Sequence, residues 1–474
     1  MRRVTTAALT LIAGALLSVL SPPAASASGP VRAPAGLTAT EVAFEGFGGL
    51  TLHGTVLAPE KARGRLPGVV LVTGSGSGVP REHLLTEATE FARRGLAVLI
   101  YDKRSVGYTD FRRSYSELAD DALGAVRALR SQPGVDPAKV GLWGLSEGGW
   151  VAPLAASRSA DVAFVIVVGG NAMPPIRQQV WNETSGLRRA GVSGSLLDHG
   201  KRNFARLGAD AGLFAEAFFD AQGVLERVRQ PLLGVWGGRD LQTPPADNPP
   251  LFARALRRGG NTHYTFRFFP EADHGAHVTP DGGFTRGDAL APGYADLVGS
   301  WVRDVTSGHL PEADTAPLPR QDHPSAAISP SPWWASAWMQ LGAFALFVVA
   351  FTGYPLVALV RRLRGRTVRP VSRWARLLAG AGLTSAVGLL FYIFYLMAAG
   401  RYPDPGPVLA GRPLPWLALQ GLAAAAVCAG VATAVAWRRA AGSVPAGERV
   451  RAGLLLTAGA VFVPWAVYWG LLLP

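Results

Sequence analysis

The sequence predicts an α/β domain, a mostly parallel sheet with helices on both faces, followed by an all-α unit of four transmembrane helices. Two observations carry this. From Leu66 to about Phe269, short apolar runs alternate with amphipathic stretches. After about residue 335 the chain turns strongly apolar. Continuous apolar strands joined by helical crossovers are the pattern of a parallel sheet buried on both faces.

The strands are expected at Gly68–Thr73, Ala97–Tyr101, Val140–Gly144, Val162–Val168, Pro231–Trp236 and Tyr264–Phe269. Helices are expected at Leu84–Arg94, Tyr115–Leu129 and Trp150–Ser157. Before them, Glu41 to Leu57 alternates apolar and polar residues around Gly48-Gly49, which reads as a β-hairpin. Residues 171–228 break the strand–helix rhythm and read as a helical cap inserted between two strands. The domain is expected to run over 28–305, and the Pro-rich stretch 306–336 reads as a partly extended linker. On this reading a chain of about residues 29–310 is soluble and active by itself.

The transmembrane unit is placed at 337–474, with apolar spans Leu341–Val360, Leu377–Ala399, Pro413–Ala436 and Ala452–Leu473. Each is long enough to cross a bilayer and contains no Asp, Glu, Lys, Arg or His. Proton and ion pathways need such groups, so the spans read as an anchor and not a transporter. At the N-terminus, Arg2 and Arg3, the apolar run Ala7–Leu20 and Ala25-Ser26-Ala27 form a signal-peptide pattern over 1–27. Segment 361–376 holds seven arginines, 437–451 four and 400–412 two. The positive-inside rule then puts the first two segments in the cytoplasm and the α/β domain outside the cell membrane. Those arginines supply much of the formal charge of +13, which therefore argues for topology and against a nucleic-acid partner. The single cysteine, Cys428, lies in an apolar run, so neither a disulfide nor a cysteine-based metal site is available within the chain.

The strongest chemical signal is Gly144-Leu145-Ser146-Glu147-Gly148, followed by Gly149. It follows an apolar strand and precedes a helix-like run, the context of a nucleophile elbow. The turn is tight, so glycines are needed beside the serine, and the helix start below favours developing negative charge. A serine nucleophile requires a base and an orienting acid. Asp240 follows the strand-like Leu232–Trp236 through Gly237-Gly238-Arg239, and His274 follows the next strand. Both fall at the C-terminal edge of parallel strands, where α/β sites collect. His277 is a rival base, read as a surface or supporting residue, and Asp273 is too close in sequence to orient the neighbouring ring. An oxyanion hole would use the Glu147 N–H and a second N–H from Ser75 or Gly76 in the glycine loop Gly74–Gly78. That loop could also be read as a nucleotide site, but Val79 stands where the dinucleotide fingerprint needs glycine. No metal or cofactor motif is present in the sequence.

Gly74-Ser75-Gly76, Tyr101-Asp102-Lys103-Arg104 with Val106-Gly107, the elbow, the Asp240 turn and His274-Gly275 together resemble the α/β-hydrolase superfamily. The nearest branch is that of the dienelactone-hydrolase-like, acyl-thioesterase-like and prolyl-oligopeptidase-like bacterial serine hydrolases. The resemblance covers about Glu41 to Val305 and departs from the branch at Ser105, where glycine is usual, and in the residues before Arg81. It implies a serine hydrolase with Ser146, Asp240 and His274 as triad and with Lys103 and Arg104 as structural residues at the sheet edge. A small-molecule carboxylic ester is the expected substrate. The alternatives are a short peptide cut by a prolyl-oligopeptidase-like peptidase, and a membrane-tethered binding or sensor protein with an idle triad.

Overall fold

The computed structural model describes residues 29–109, 111–365, 373–398, 403–440 and 446–474. Residues 1–27, expected to form a signal peptide, lie outside the described residues. The hairpin forms as β1 (Leu37–Glu45) and β2 (Thr51–Pro59), paired antiparallel. Then come β3 (Leu66–Val72), α1 (Leu85–Arg93), β4 (Ala97–Tyr101), α2 (Tyr115–Arg130), β5 (Val135–Leu145), α3 (Gly148–Ala156) and β6 (Val165–Val168). After the cap the sheet continues with β7 (Leu232–Gly237), α7 (Asn248–Arg258), β8 (Tyr264–Phe269), α8 (Tyr294–Thr306) and the short β9 (Asp314–Thr315). The strand order is β1-β2-β4-β3-β5-β6-β7-β8-β9. From β4 to β9 every neighbour pair is parallel.

Alternate residues of the central strands feed the two faces of this sheet. Val70, Leu142 and Val167 pack towards α2, α3 and α7, while Leu71, Trp143 and Ile166 pack towards α1 and α8. Helix α2 shows how local sequence serves this. Ser114 Oγ accepts the Glu117 N–H and caps its start, and Leu118, Ala122, Ala125 and Leu129 form its buried stripe.

The inserted segment supplies α4 (Pro175–Arg189), a π-helical turn at Leu196–Lys201 running into α5 (Arg202–Asp210), and α6 (Ala221–Leu225). The four long apolar helices are α9 (Ala337–Leu363), α10 (Arg373–Ala398), α11 (Leu414–Ala440) and α12 (Ala446–Tyr468). Close approach relies on small residues: a Cβ on Gly382 would meet Phe351 at 2.6 Å, and one on Gly388 would meet Leu419 at 2.6 Å.

The Pro-rich stretch is not a free linker. Ser325 receives Arg177 Nε at 2.9 Å and donates its own N–H and Oγ–H to Asp247, both at 2.6 Å. His323 O accepts the Trp181 indole N–H at 3.1 Å, and Ile328 packs with Ile176, Val180 and Ala217. The segment is a strap fastened to α4 and to the start of α7. Nor is the cap free. Leu187, Val192, Leu196 and Leu197 share one apolar cluster with Trp416, Leu419, Trp469 and Leu471 of the helix bundle. Ser193 N–H donates to Gly411 O at 2.7 Å, and the Trp416 indole N–H to Ser195 Oγ at 3.2 Å. The bundle end that meets the cap is opposite the arginine-rich end, where Glu448 pairs with Arg361 and Arg451. These contacts join the cap to the helix bundle, and the Pro-rich stretch to α4 and the start of α7, across long stretches of sequence.

Candidate active site

At the end of β5 the chain turns sharply into α3. Ser146 sits in that turn with φ of 56°, a left-handed conformation that a side chain adopts only under constraint. The constraint is crowding. A Cβ on Gly144 would lie 2.0 Å from Gly148 O, and one on Gly148 would lie 2.3 Å from Val72 O. Ser146 N–H donates to Val168 O at 3.0 Å, which ties the turn to the end of β6.

The next residue of β6's loop, Gly169, faces the other side of the site. A Cβ there would come within 2.6 Å of His274 Cε1 and Nδ1, so the imidazole lies where only glycine leaves room. Asp240, in the turn after β7, is buried. Its Oδ1 accepts the N–H groups of Gln242 and Thr243 at 2.7 and 2.9 Å. Its Oδ2 lies 2.8 Å from His274 Nδ1. Thr243 Oγ–H donates to Gly169 O at 3.2 Å, so the same oxygen, 3.3 Å from His274 Nδ1, can only accept there. Two acceptors at Nδ1 assign the proton to that nitrogen and leave the lone pair of a neutral ring on Nε2. His274 Nε2 is buried and has no partner among the described residues.

His277 lies elsewhere. It is buried, not a surface residue: Nδ1 donates to Gly287 O at 2.9 Å and Nε2 is 2.9 Å from Glu87 Oε1 on α1. Asp273 Oδ1 accepts the N–H groups of Gly275 and His277, and Oδ2 meets Arg286, so this acid shapes the histidine loop. Asp102 accepts the Arg81 N–H at 3.0 Å.

The glycine loop after β3 borders Ser146: a Cβ on Gly74 would be 3.4 Å from Ser146 Cβ. Gly76 N–H is engaged, donating to Tyr108 Oη at 3.3 Å. Ser75 and Glu147 N–H make no hydrogen bond among the described residues. The Glu147 carboxylate is buried and accepts from Lys103 Nζ at 2.5 Å, from Tyr108 Oη at 3.0 and 2.9 Å, and from Arg113 at 2.9 Å. Burial alone would push this carboxyl up. The charges of Lys103 and Arg113, with hydrogen bonds from Lys103 and Tyr108, outweigh it and hold the group below the ordinary glutamate value. Burial, opposed by Glu147, leaves the Lys103 ammonium below its own ordinary value. The two directions pull the pair oppositely. The ionised form is the one that fits, because Arg113 stays charged and Lys103 Nζ also donates to Gly74 O at 2.7 Å. Burial and Glu147 raise the Tyr108 phenol, which therefore stays protonated as a donor.

Two expectations about structural residues thus part company. Arg104 ties Asp121 of α2 to Phe47 O of the hairpin, as a sheet-edge residue would. Lys103 reaches under the elbow instead. Thr243, Gly169 and Tyr108 were not singled out by sequence. Only Thr243, three residues after Asp240 in the same turn, carried a positional hint.

The strand order, with an antiparallel hairpin leading into parallel strands and a strained Ser146 between β5 and α3, is decisive. This domain has the α/β-hydrolase fold. Residues 86–282 match the prolyl oligopeptidase family, a stretch that holds Ser146, Asp240 and His274. The polyketide transferase claH of Penicillium crustosum is 35% identical over 133 residues, 27% of this chain and 43% of that protein. The thiohydrolase aneE of Aspergillus aculeatus is 33% identical over 136 residues, 28% of this chain and 41% of that protein. The chain thus spans less than half the length of these curated relatives. Among solved structures, dienelactone hydrolase of Anabaena variabilis is 22% identical, with 58% of this chain and 99% of that one covered and a TM-score of 0.34.

Proposed function

We propose that this protein is a serine hydrolase held in the membrane, which cleaves a carboxylic ester through an acyl-enzyme on Ser146, outside the cytoplasm. The observation that carries the reading is His274. Asp240 and Thr243 take up its Nδ1, and its buried Nε2 is left with a lone pair and no partner among the described residues. In this scheme Ser146 Oγ attacks the ester carbonyl and passes its proton to Nε2. The tetrahedral oxyanion takes the N–H groups of Glu147 and Ser75. The alcohol leaves with the proton from His274, and water repeats the sequence to release the acid.

The orientation is supported by charge. The catalytic domain rests on the bundle end away from the arginine-rich segments, which the positive-inside rule keeps in the cytoplasm. A thioester substrate is the second reading, favoured by the thiohydrolase among the relatives; the same acyl transfer would serve it.

The test uses the full chain in lipid nanodiscs. A fluorophosphonate probe should label the wild type and not Ser146→Ala. Ser146→Ala and His274→Ala should each lower turnover of a p-nitrophenyl ester by on the order of a million-fold, and together by little more. Equal labelling of Ser146→Ala would overturn the assignment. Faster cleavage of aminoacyl-naphthylamides than of esters would replace the ester by a peptide.

A further inference from the structure

The residues on either side of Ser75 are both tied to the side chain of Glu147. On one side, Lys103 Nζ bridges Gly74 O, at 2.7 Å, and Glu147 Oε1, at 2.5 Å. On the other, Gly76 N–H donates to Tyr108 Oη at 3.3 Å, and Tyr108 donates on to the same carboxylate. Glu147 is also the residue whose N–H follows the nucleophile. Both flanks of Ser75 are therefore pinned, each through one intervening side chain, to a buried carboxylate that is far away in sequence. The assembly is enclosed: the side chains of Lys103 and Glu147 are 5% and 2% exposed, and Tyr108 is 1% exposed.

We propose that Lys103, Tyr108 and the Glu147 carboxylate are positioning residues that set the separation of the two oxyanion donors, Ser75 N–H and Glu147 N–H. The inference rests on the serine-hydrolase reading of this site. None of the three side chains needs to touch the substrate. Their effect is on distance. Backbone donors stabilise an oxyanion only when both lie within hydrogen-bonding reach of the position the oxygen occupies in the tetrahedral state. A hydroxyl or ammonium placed between carbonyl, amide and carboxylate holds that reach in a buried setting where hydrogen bonds are strong. The chemistry also explains why the residue after the nucleophile is an acid. A neutral side chain there would remove the carboxylate that pairs with both Lys103 and Arg113.

The experiment compares the wild type, Tyr108→Phe, Lys103→Met and Ser146→Ala, each as full chain in nanodiscs. Tyr108→Phe keeps the ring and removes only the bridge to Gly76. The expected result is a fall in kcat of about 10- to 100-fold with KM changed less than about twofold, short of the roughly 100- to 1,000-fold cost of losing an oxyanion donor outright because the donor is displaced and not removed. Affinity for an alkyl trifluoromethyl ketone, whose bound hemiketal carries an oxyanion, should weaken by the same factor, while affinity for the product carboxylate stays level. Lys103→Met should show the same pattern, more strongly if it folds. A purely structural role would lower the melting temperature and leave the kcat-to-KM split and the ketone affinity of Tyr108→Phe at wild-type values, which would overturn the proposal. Full activity of Ser146→Ala would instead remove the serine-hydrolase reading on which it rests, and the two failures are distinct.

Discussion

Replacing Asp240 by asparagine offers the sharpest test of the site, because the structure dictates how the amide must lie. Oδ1 of Asp240 accepts two backbone N–H groups, from Gln242 at 2.7 Å and Thr243 at 2.9 Å. In the variant that position must be the amide oxygen, since an NH₂ there would face two donors. The NH₂ is then forced into the place of Oδ2, 2.8 Å from His274 Nδ1. A donor at that point requires Nδ1 to accept, which moves the ring proton to Nε2. On the proposed mechanism, the nitrogen that takes the proton from Ser146 then no longer has a lone pair. The expected loss in kcat is on the order of ten-thousand-fold, the size known for this change in the serine-protease triad. The fold should be little affected, because both backbone bonds to Oδ1 persist; we expect a cost of about 1–3 kcal/mol from the weakened bond to the ring. Turnover of a p-nitrophenyl ester and urea unfolding, measured on the same preparation, check both halves. A variant that keeps more than about a tenth of wild-type kcat would refute the tautomer argument and with it the role of Asp240.

His277→Ala separates supporting from catalytic histidines: it strands Glu87 in the core and should cost on the order of 3 kcal/mol in unfolding experiments, while the folded fraction retains near-normal kcat. Lowering the pH tests Glu147, whose folded value lies below the ordinary 4.5. Its contribution to stability is complete above the unfolded value and is lost as pH falls through the folded one, so the wild type's advantage over Glu147→Gln should shrink from pH 7 towards acid. A gap independent of pH would contradict this. Cutting the chain to about residues 29–310 removes the strap and uncovers Leu187, Val192, Leu196 and Leu197, each worth roughly 1.5–3 kcal/mol of burial. We expect that piece to be cleaved by protease first between 187 and 211 and to lose most esterase activity; full activity with an intact cap would mean that the bundle only anchors. For topology, Arg364→Cys in the full chain, with Cys428 replaced by alanine, should be labelled by an impermeant maleimide only after cells are opened.

Much of the sheet was legible because its signals are local. Strand residues such as Val69 to Val72 and Val98 to Ile100 are continuous apolar runs, and a run buried on both faces needs no knowledge of its neighbours to be recognised. The elbow was legible for a similar reason: Gly144 and Gly148 answer to steric crowding within the turn and the adjacent strand. The apolar helices declare themselves by length and composition. Asp240 and His274 could be named from their place after β7 and β8, since a parallel sheet gathers those strand ends on one edge.

What the sequence determined by itself, then, was the order of strands and helices, the serine turn and the existence of a bundle, all set by short-range pattern and sterics. Tertiary structure decided the rest. It turned the Pro-rich stretch into a strap, because Arg177, Trp181 and Asp247 meet it across more than 70 residues of chain. It made His277 a core residue by setting Glu87 against it, 190 residues away. It brought Lys103 and Tyr108 beneath the elbow, and it set the cap on the bundle. Each of these depends on which buried polar or apolar group finds a partner in three dimensions. That pairing follows from the closing of the sheet and leaves no periodic trace in the chain.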